Sequence, residues 1–424
     1  AAQDEDEAED ESAGLRFNWN SALAVDAQDS ATIYFGSQFV HRSSDGGATW
    51  EILSPDLTTN DSTKQRPAFA ERGLGSSEVD NHTAILAIDT SPLEDGVIWA
   101  TTDDGNVQVT RDDGATWTNV AGGLPEAPDC ASVPEVKASA HEAGRAYVVV
   151  DHHRRGDMQA YAYRTDDFGD SWVRLPTEGV DGFLRDIDED PEEEDVLFLG
   201  SELGMYVSLD GGASWSAWPG LPRVPVREVF VHPRAHDLVI GTHGRAAWIV
   251  DDIRPLRALA ADPSIRGEAL HVFPPPPAQQ HEVALKGDLG VHMGYRVVGE
   301  AMFFGENRPY GALISYWVGE ASGTAADSAL IEIRDPQGEL VRELTGPVAP
   351  GLNRVVWDLF PNAPEESEEE GEEEEVEDPE EISPGRYEVT VRVAGEDRRT
   401  SVEVVGDPRK EGVDFFHPTG GDGP

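Results

Sequence analysis

The sequence predicts an all-β chain in which about five β-propeller blades precede an immunoglobulin- or fibronectin-like β-sandwich. Three observations carry that expectation. An octapeptide of the form S/T-x-D-x-G-x-T/S-W occurs four times, as SSDGGATW at 43–50, TRDDGATW at 110–117, TDDFGDSW at 165–172 and SLDGGASW at 208–215. An apolar strand pair lies ahead of each copy, and the units recur at intervals of roughly 40–65 residues, the span of a four-stranded blade. From Gly311 onward the pattern changes to closely spaced alternating strands.

Taken in chain order, residues 1–12 hold seven acidic groups and no Lys or Arg, so a disordered acidic segment is expected over 1–15. The blades then occupy 16–254. Their strand pairs read LAVDAQDSATIYFGS, LAIDTSPLEDGVIWATT, VKASAHEAGRAYVVV and IDEDPEEEDVLFLGS, and a fifth, VFVHPRAHDLVIGTHGR, starts at Val229 without a closing octapeptide. Aligned on the second strand, the units recur at Ile33, Val97, Ala146, Val196 and Leu238. In the octapeptide, Gly supplies a left-handed turn, the Asp carboxylate accepts turn N–H groups, and Trp anchors the hairpin in apolar surface. Asp45, Asp112, Asp167 and Asp210, with Trp50, Trp117, Trp172 and Trp215, therefore read as scaffold rather than as catalytic groups. Phe168 departs from the usual small or acidic residue in the third copy.

A connector is expected over 255–310. PLRALAAD (255–262) has the pattern of one or two helical turns, and FPPPPAQQ (273–280) is a Pro-rich extended segment. The sandwich follows at 311–408, with Pro-Gln-Gly, Pro-Gly and Ala-Gly-Glu turns between strands and with Trp317 and Trp357 expected in its core. A run with thirteen acidic groups at 365–381 falls between two of its strands and is expected to be a disordered surface insertion. Residues 409–424 form a tail.

The octapeptide resembles the Asp-box of sialidase-type and sortilin-type β-propellers. The runs FNWNSAL, YFGSQFVHRSSDGGATW, ILSPDLTTND, DDGNVQVTRDDGATW, SELGMYVSLDGGASW and VFVHPRAHDLVIGTHGRAAWIVDDI are similar to a bacterial group of large secreted proteins. That group has sortilin-like Asp-box (BNR-repeat) propellers and is often labelled glycosyl hydrolase. The resemblance covers residues 16–409 and implies an extracellular or cell-envelope location. It also implies that this chain matches the C-terminal half of such proteins, so the missing N-terminal propeller blades are an expected partner. Ala246 stands where the group leads one to expect Gly after THGR.

Charge excludes several function classes. The chain of 424 residues has 82 acidic and 32 basic side chains, a formal charge of −50, which argues against nucleic acid or an anionic membrane as the main partner. No run approaches the roughly 20 apolar residues of a membrane span. Cys130 is the only cysteine, and no P-loop, dinucleotide fingerprint, zinc-protease helix or Ser-His-Asp motif is present, so no cofactor and no metal is expected. Starting at Ala with no apolar leader, the chain is expected to be a processed product or a piece of a longer one. Without its two acidic runs it still carries 62 acidic against 32 basic groups, only four of them lysines, a surface suited to concentrated salt. Stability is therefore expected to rise with salt. A melting temperature that stays flat or falls between roughly 0.2 and 2 M KCl would refute this halophilic reading.

The candidate site follows from strand direction. If the octapeptide joins the third and fourth strands of a blade, the loops between the second and third strands lie at the opposite face, near the central channel. These loops carry Asp103, Asp104, Asp151, His152, His153, Arg154, Arg155, Glu202, His243 and Arg245. Three readings compete. A binding module would grip a peptide or carbohydrate through these arginines, histidines and carboxylates. A glycoside hydrolase would need two carboxylates across the scissile bond, for which Asp104, Asp151 and Glu202 are the candidates. A scaffold would pair the groups with one another around a water-filled channel.

Overall fold

The computed structural model describes residues 14–62, 83–281, 308–323, 325–362 and 380–408. Most of the acidic segment 1–15, most of the insertion 365–381 and the tail 409–424 lie outside the described residues. The chain divides into two compact units, Ala1–Ala261 and Asp262–Pro424.

The first unit is a β-propeller built of antiparallel meanders. Blade 1 comprises β1 (Leu23–Val25), β2 (Ile33–Gly36), β3 (Val40–Ser43) and β4 (Glu51–Ile52). Blade 2 comprises β5 (Ile85–Thr90), β6 (Ile98–Thr102), β7 (Val107–Thr110) and β8 (Thr118–Asn119). In blade 3 these are β9 (Ser132–Ala138), β10 (Ala146–Asp151), β11 (Tyr161–Thr165) and β12 (Val173–Arg174). Blade 4 has β13 (Leu184–Glu189), β14 (Val196–Ser201), β15 (Gly204–Leu209) and β16 (Ser216–Ala217). Blade 5 has three strands, β17 (Val226–Val231), β18 (Leu238–Thr242) and β19 (Ala247–Val250). The first strands β1, β5, β9, β13 and β17 pack successively side by side.

The second strands of blades 2, 3 and 4 bury both faces, as their nearly unbroken apolar runs require, whereas β2 and β18 fully bury only one. One face carries Tyr34, Trp99, Tyr147 or Phe198 toward the following blade. Tyr34 clusters with Ile88, Ile98 and Ala100; Trp99 with Val136 and Val148; Tyr147 with Leu184 and Leu199; Phe198 with Val229 and Ile240. The register also corrects the sequence alignment. Ile33, Ile98, Ala146 and Leu197 are the residues opposite the octapeptide Ser or Thr, so Val97 and Val196 lie one place early.

The four octapeptide turns repeat one hydrogen-bond pattern. In the first, Thr49 donates its N–H to Asp45 Oδ1 (2.8 Å) and its hydroxyl to Oδ2 (2.7 Å), while the Ser43 hydroxyl accepts the Gly47 N–H (2.8 Å) and donates to Asp45 (2.8 Å). Thr110, Thr165 and Ser208 make the same bonds to Asp112, Asp167 and Asp210. The Thr49 N–H and hydroxyl hold the Asp45 carboxyl down at about 2, and Thr116 and Ser171 likewise hold Asp112 and Asp167 below the usual carboxylate range. These aspartates are spent on the turn.

Helix α1 (Arg254–Ala261) belongs to this first unit rather than to a connector, because Leu256 and Ala260 enter the apolar cluster of blades 4 and 5.

The second unit contains two sheets around one core. The three-stranded sheet orders β20 (Leu270–Val272), β22 (Ala312–Val318) and β25 (Gly351–Trp357). The five-stranded sheet orders β21 (Ala278–Gln279), β27 (Glu396–Val405), β26 (Gly385–Val393), β23 (Ala329–Arg334) and β24 (Leu340–Gly346). β20 and β21 come from the expected connector, yet they pair with β22 and β27 and belong to the sheets. Trp357 is fully buried in the core, whereas Trp317 is half-buried on the opposite face, because Tyr316 and Val318 take the inward positions of β22. Among the described residues no helix is long and apolar enough to cross a membrane.

Candidate functional site

The innermost strand of a blade is a sheet edge, with N–H groups that no partner strand satisfies. The propeller covers these edges with carboxylates from the neighbouring blade. Asp89 accepts the Ala138 N–H (2.8 Å) and Asp188 that of Val231 (3.0 Å), while Glu189 accepts the Ala140 N–H in the bend just after β9 (2.8 Å). Asp186 accepts the Val229 N–H. Lys137 answers this negative charge by pairing with Asp188 at 2.8 Å.

These strands enclose a central cavity of about 1080 Å³, bordered by β1, β5, β9, β13 and β17. Its wall is acidic: Asp89, Glu135, Asp186, Asp188 and Glu228 face it around Lys137. Burial pushes Asp89, Glu135, Asp186 and Glu228 above the ordinary carboxylate range, and their mutual repulsion adds to the shift. Burial pulls the Lys137 ammonium down, but Asp188 and Asp89 outweigh it and hold the proton on.

A raised carboxyl keeps its proton in the folded state at pH values where the unfolded chain has lost it. Its contribution to stability is therefore complete below the unfolded value and falls as pH rises from about 4 through the raised value. Glu135→Gln should accordingly flatten the decline of melting temperature as pH rises above the ordinary glutamate range. An unchanged slope would mean that the channel carboxylates are fully hydrated.

At one part of the wall the charge reverses. β-Bulges re-aim side chains, and the inner strands shift register around Leu86, Arg185 and Arg227, all three of which border the cavity. Arg185 donates to Asp151 Oδ2 (3.1 Å) and Glu202 Oε2 (3.3 Å), and its guanidinium lies 4.3 Å above the Phe183 ring. Burial lowers its proton affinity, and the like charge of Arg227 lowers it further. Asp151 also accepts from the His153 N–H (2.9 Å) and from His153 Nδ1 (2.7 Å), while the His153 ring stacks on Phe183 at 4.3 Å.

Of the residues expected at the mouth, Asp103, Asp151, His152, His153, Arg154, Arg155 and His243 border the cavity. Arg154 and Arg155 are exposed on a single 3-10 turn, and neither they nor Arg227 has an ion-pair partner among the described residues. Asp103 is buried and accepts the Thr83 and Ala84 N–H groups (2.8 and 3.0 Å) and the Asn18 amide (2.9 Å). Asp104, Glu202 and Arg245 do not border the cavity. Asp104 is buried, accepting from the Thr59 N–H (2.8 Å) and the Thr59 and Thr102 hydroxyls, and so ties its loop to residues 56–60. Arg245 is an exposed turn residue whose carbonyl accepts from Trp248 Nε1 (3.1 Å). No residue of the four octapeptides borders the cavity.

Loop-based reasoning missed Arg185, Arg227 and the carboxylate wall. The available signal was the charged residues set within otherwise apolar first strands, in LRDIDE and VREVF. No group of His, Cys, Asp and Glu side chains able to hold a metal occurs among the described residues.

No protein-family model and no curated protein matches this sequence. Solved structures with similar parts include the GH74 enzyme of Niastella koreensis, at 16% identity over 55% of this chain and 36% of that one, with a TM-score of 0.39. The GH74 xyloglucanase of Xanthomonas campestris matches at 18% identity over 55% and 36%, with a TM-score of 0.40. A nidogen/laminin complex matches at 13% identity over 57% and 76%, with a TM-score of 0.38. The match thus spans little more than a third of the GH74 chains.

Proposed function

We propose that this chain is an extracellular binding module of the sortilin-like Asp-box class, which holds a peptide or carbohydrate at the cavity mouth. The observation that carries the reading is the local reversal of charge. In a chain of formal charge −50, Arg154, Arg155 and Arg227 face a cavity without ion-pair partners among the described residues, beside the partly paired Arg185. Guanidinium forks suit carboxylate, phosphate and hydroxyl-rich ligands. The repulsion between Arg227 and Arg185 is relieved when an acceptor enters.

The hydrolase alternative has less support. Asp151 and Glu202 share Arg185, and Asp104 is committed to Thr59 and Thr102, so none of the three candidates is a free acid or nucleophile.

An array of synthetic peptides and oligosaccharides, probed with the full chain, tests the binding reading. A retained ligand should bind at least about tenfold more weakly to Arg227→Ala and to Arg154→Ala, with melting temperature unchanged. Ligands indifferent to both substitutions would move the site elsewhere, and retention of nothing on the array favours the scaffold reading.

A further inference from the structure

Along the inner strands of blades 4 and 5, arginine and carboxylate stand side by side. Adjacent residues of a strand ordinarily point to opposite faces. The register shifts at Arg185 and Arg227 change this, so that Arg185 and Asp186, and likewise Arg227 and Glu228, all border the cavity. In blade 2 the same shift falls on Leu86 and brings no charge.

Blade 3 adds Arg154 and Arg155 from the turn after β10. That turn is anchored: the His153 N–H (2.9 Å) and Nδ1 (2.7 Å) both hold Asp151, and the His153 ring stacks on Phe183. Contacts join the two groups into one patch. Asp151 also accepts from Arg185, and Arg227 lies near enough to depress the proton affinity of Arg185. Within the patch Arg185 is committed to Asp151 and Glu202, whereas Arg154, Arg155 and Arg227 are exposed and have no ion-pair partner among the described residues.

Three uncompensated guanidiniums at one cavity select for charge and for oxygen count. A carboxylate answers one charge with two oxygens. A phosphate monoester brings nearly two charges and three strong acceptor oxygens, which guanidinium forks suit. The wall limits the ligand's extent. Asp186 and Glu228 follow their arginines within about 3.4 Å along the strand, so a second anionic group placed farther in would meet carboxylates. Polyphosphates, nucleic acid and polysulfated chains are thereby disfavoured, and a single terminal group fits.

We propose that the cavity mouth binds a lone phosphate monoester, held between Arg154, Arg155 and Arg227. This deepens the binding reading above and rests on it. His153 is a positioning residue in this site, since it fixes the turn that carries Arg154.

The test titrates the full chain calorimetrically with phenyl phosphate, phenyl sulfate and benzoate at about pH 8, where the monoester carries its second charge. Phenyl phosphate should bind at least about tenfold more tightly than the other two. Arg154→Ala and Arg227→Ala should each weaken it at least about tenfold with melting temperature unchanged. Arg234 is exposed in the hairpin after β17 and lies outside the cavity lining, so Arg234→Ala should leave binding unchanged. The proposal is overturned if phenyl phosphate does not bind, if phenyl sulfate or benzoate binds as well, or if Arg234→Ala weakens binding equally. Should phenyl phosphate fail while a ligand from the array still depends on Arg227, the phosphate inference falls and the binding module stands; if nothing binds in either experiment, both fall. Phosphoserine and glucose 6-phosphate, titrated in the same way, separate an amino-acid carrier from a sugar carrier: binding of either supports the proposal, and the tighter of the two names the carrier.

Discussion

Trp172→Ala is expected to cost about 3–5 kcal/mol of stability, the range for deleting a buried aromatic side chain, whereas Trp50→Ala should cost less than about 1 kcal/mol. The two residues close copies of one octapeptide whose Asp and Ser/Thr hydrogen bonds are the same, so the contrast lies in the tertiary surroundings. Trp172 is 7% exposed, meets Trp99 edge-on with ring centres 6.2 Å apart, and donates to the Val120 carbonyl. Removing it leaves a cavity between blades 2 and 3 and takes one of two donors from the Val120 carbonyl, which keeps the Gly123 N–H (3.2 Å). Trp50 is 46% exposed and donates only to Gly47 within its own turn (3.1 Å). Urea or thermal denaturation of the two variants checks the contrast. Equal losses would show that the turn itself, rather than the junction, uses the indole.

Arg257→Leu is expected to cost about 3–5 kcal/mol, because it strands a buried carboxylate. Arg257 lies buried on α1 and reaches Asp190 at 2.9 Å and Glu192 Oε2 at 2.6 Å, and it donates to His236 Nδ1 at 2.8 Å. Asp190 is fully buried and also accepts the Glu192 and Glu193 N–H groups (2.9 and 3.0 Å). Deleting the guanidinium leaves that charge without a counterion. The double variant Arg257→Leu/Asp190→Asn keeps the turn acceptor and removes the charge, so it should recover more than half of the loss. A single-variant cost below about 1 kcal/mol would mean that water reaches Asp190.

The blades were legible because their signal is local. The octapeptide encodes its own turn: the side chains of Asp45 and Ser43 bond within seven residues, and all four copies close alike. Two other features misled for physical reasons. LHV and AQ, within a Pro-rich stretch, carry too few residues to announce strands, yet they find partners more than forty and more than a hundred residues away. Trp317 and Trp357 look alike in sequence, but alternation about Tyr316 turns only Trp357 into the core.

The candidate site was half legible. Asp103, Asp151 and Arg154 were found because loop position follows from strand reversal, which sequence order dictates. Asp104 stands next to Asp103, yet adjacent residues point apart, and its carboxylate turns to Thr59 instead of the cavity. Arg185 and Arg227 showed in the sequence only as charges within first strands, since a bulge of one residue decides whether a strand side chain faces the channel, and pairing register is a long-range property.

By itself, then, the amino-acid order determined the all-β class, the repeated blade and the scaffold role of its aspartates, since each follows from contacts within a few residues. Tertiary structure alone decided which charges meet at the cavity, which tryptophan is buried and which is left bare, and that blade 5 stops at three strands. Those outcomes depend on which blade lies beside which, and a side chain is buried or paired only by what packs against it.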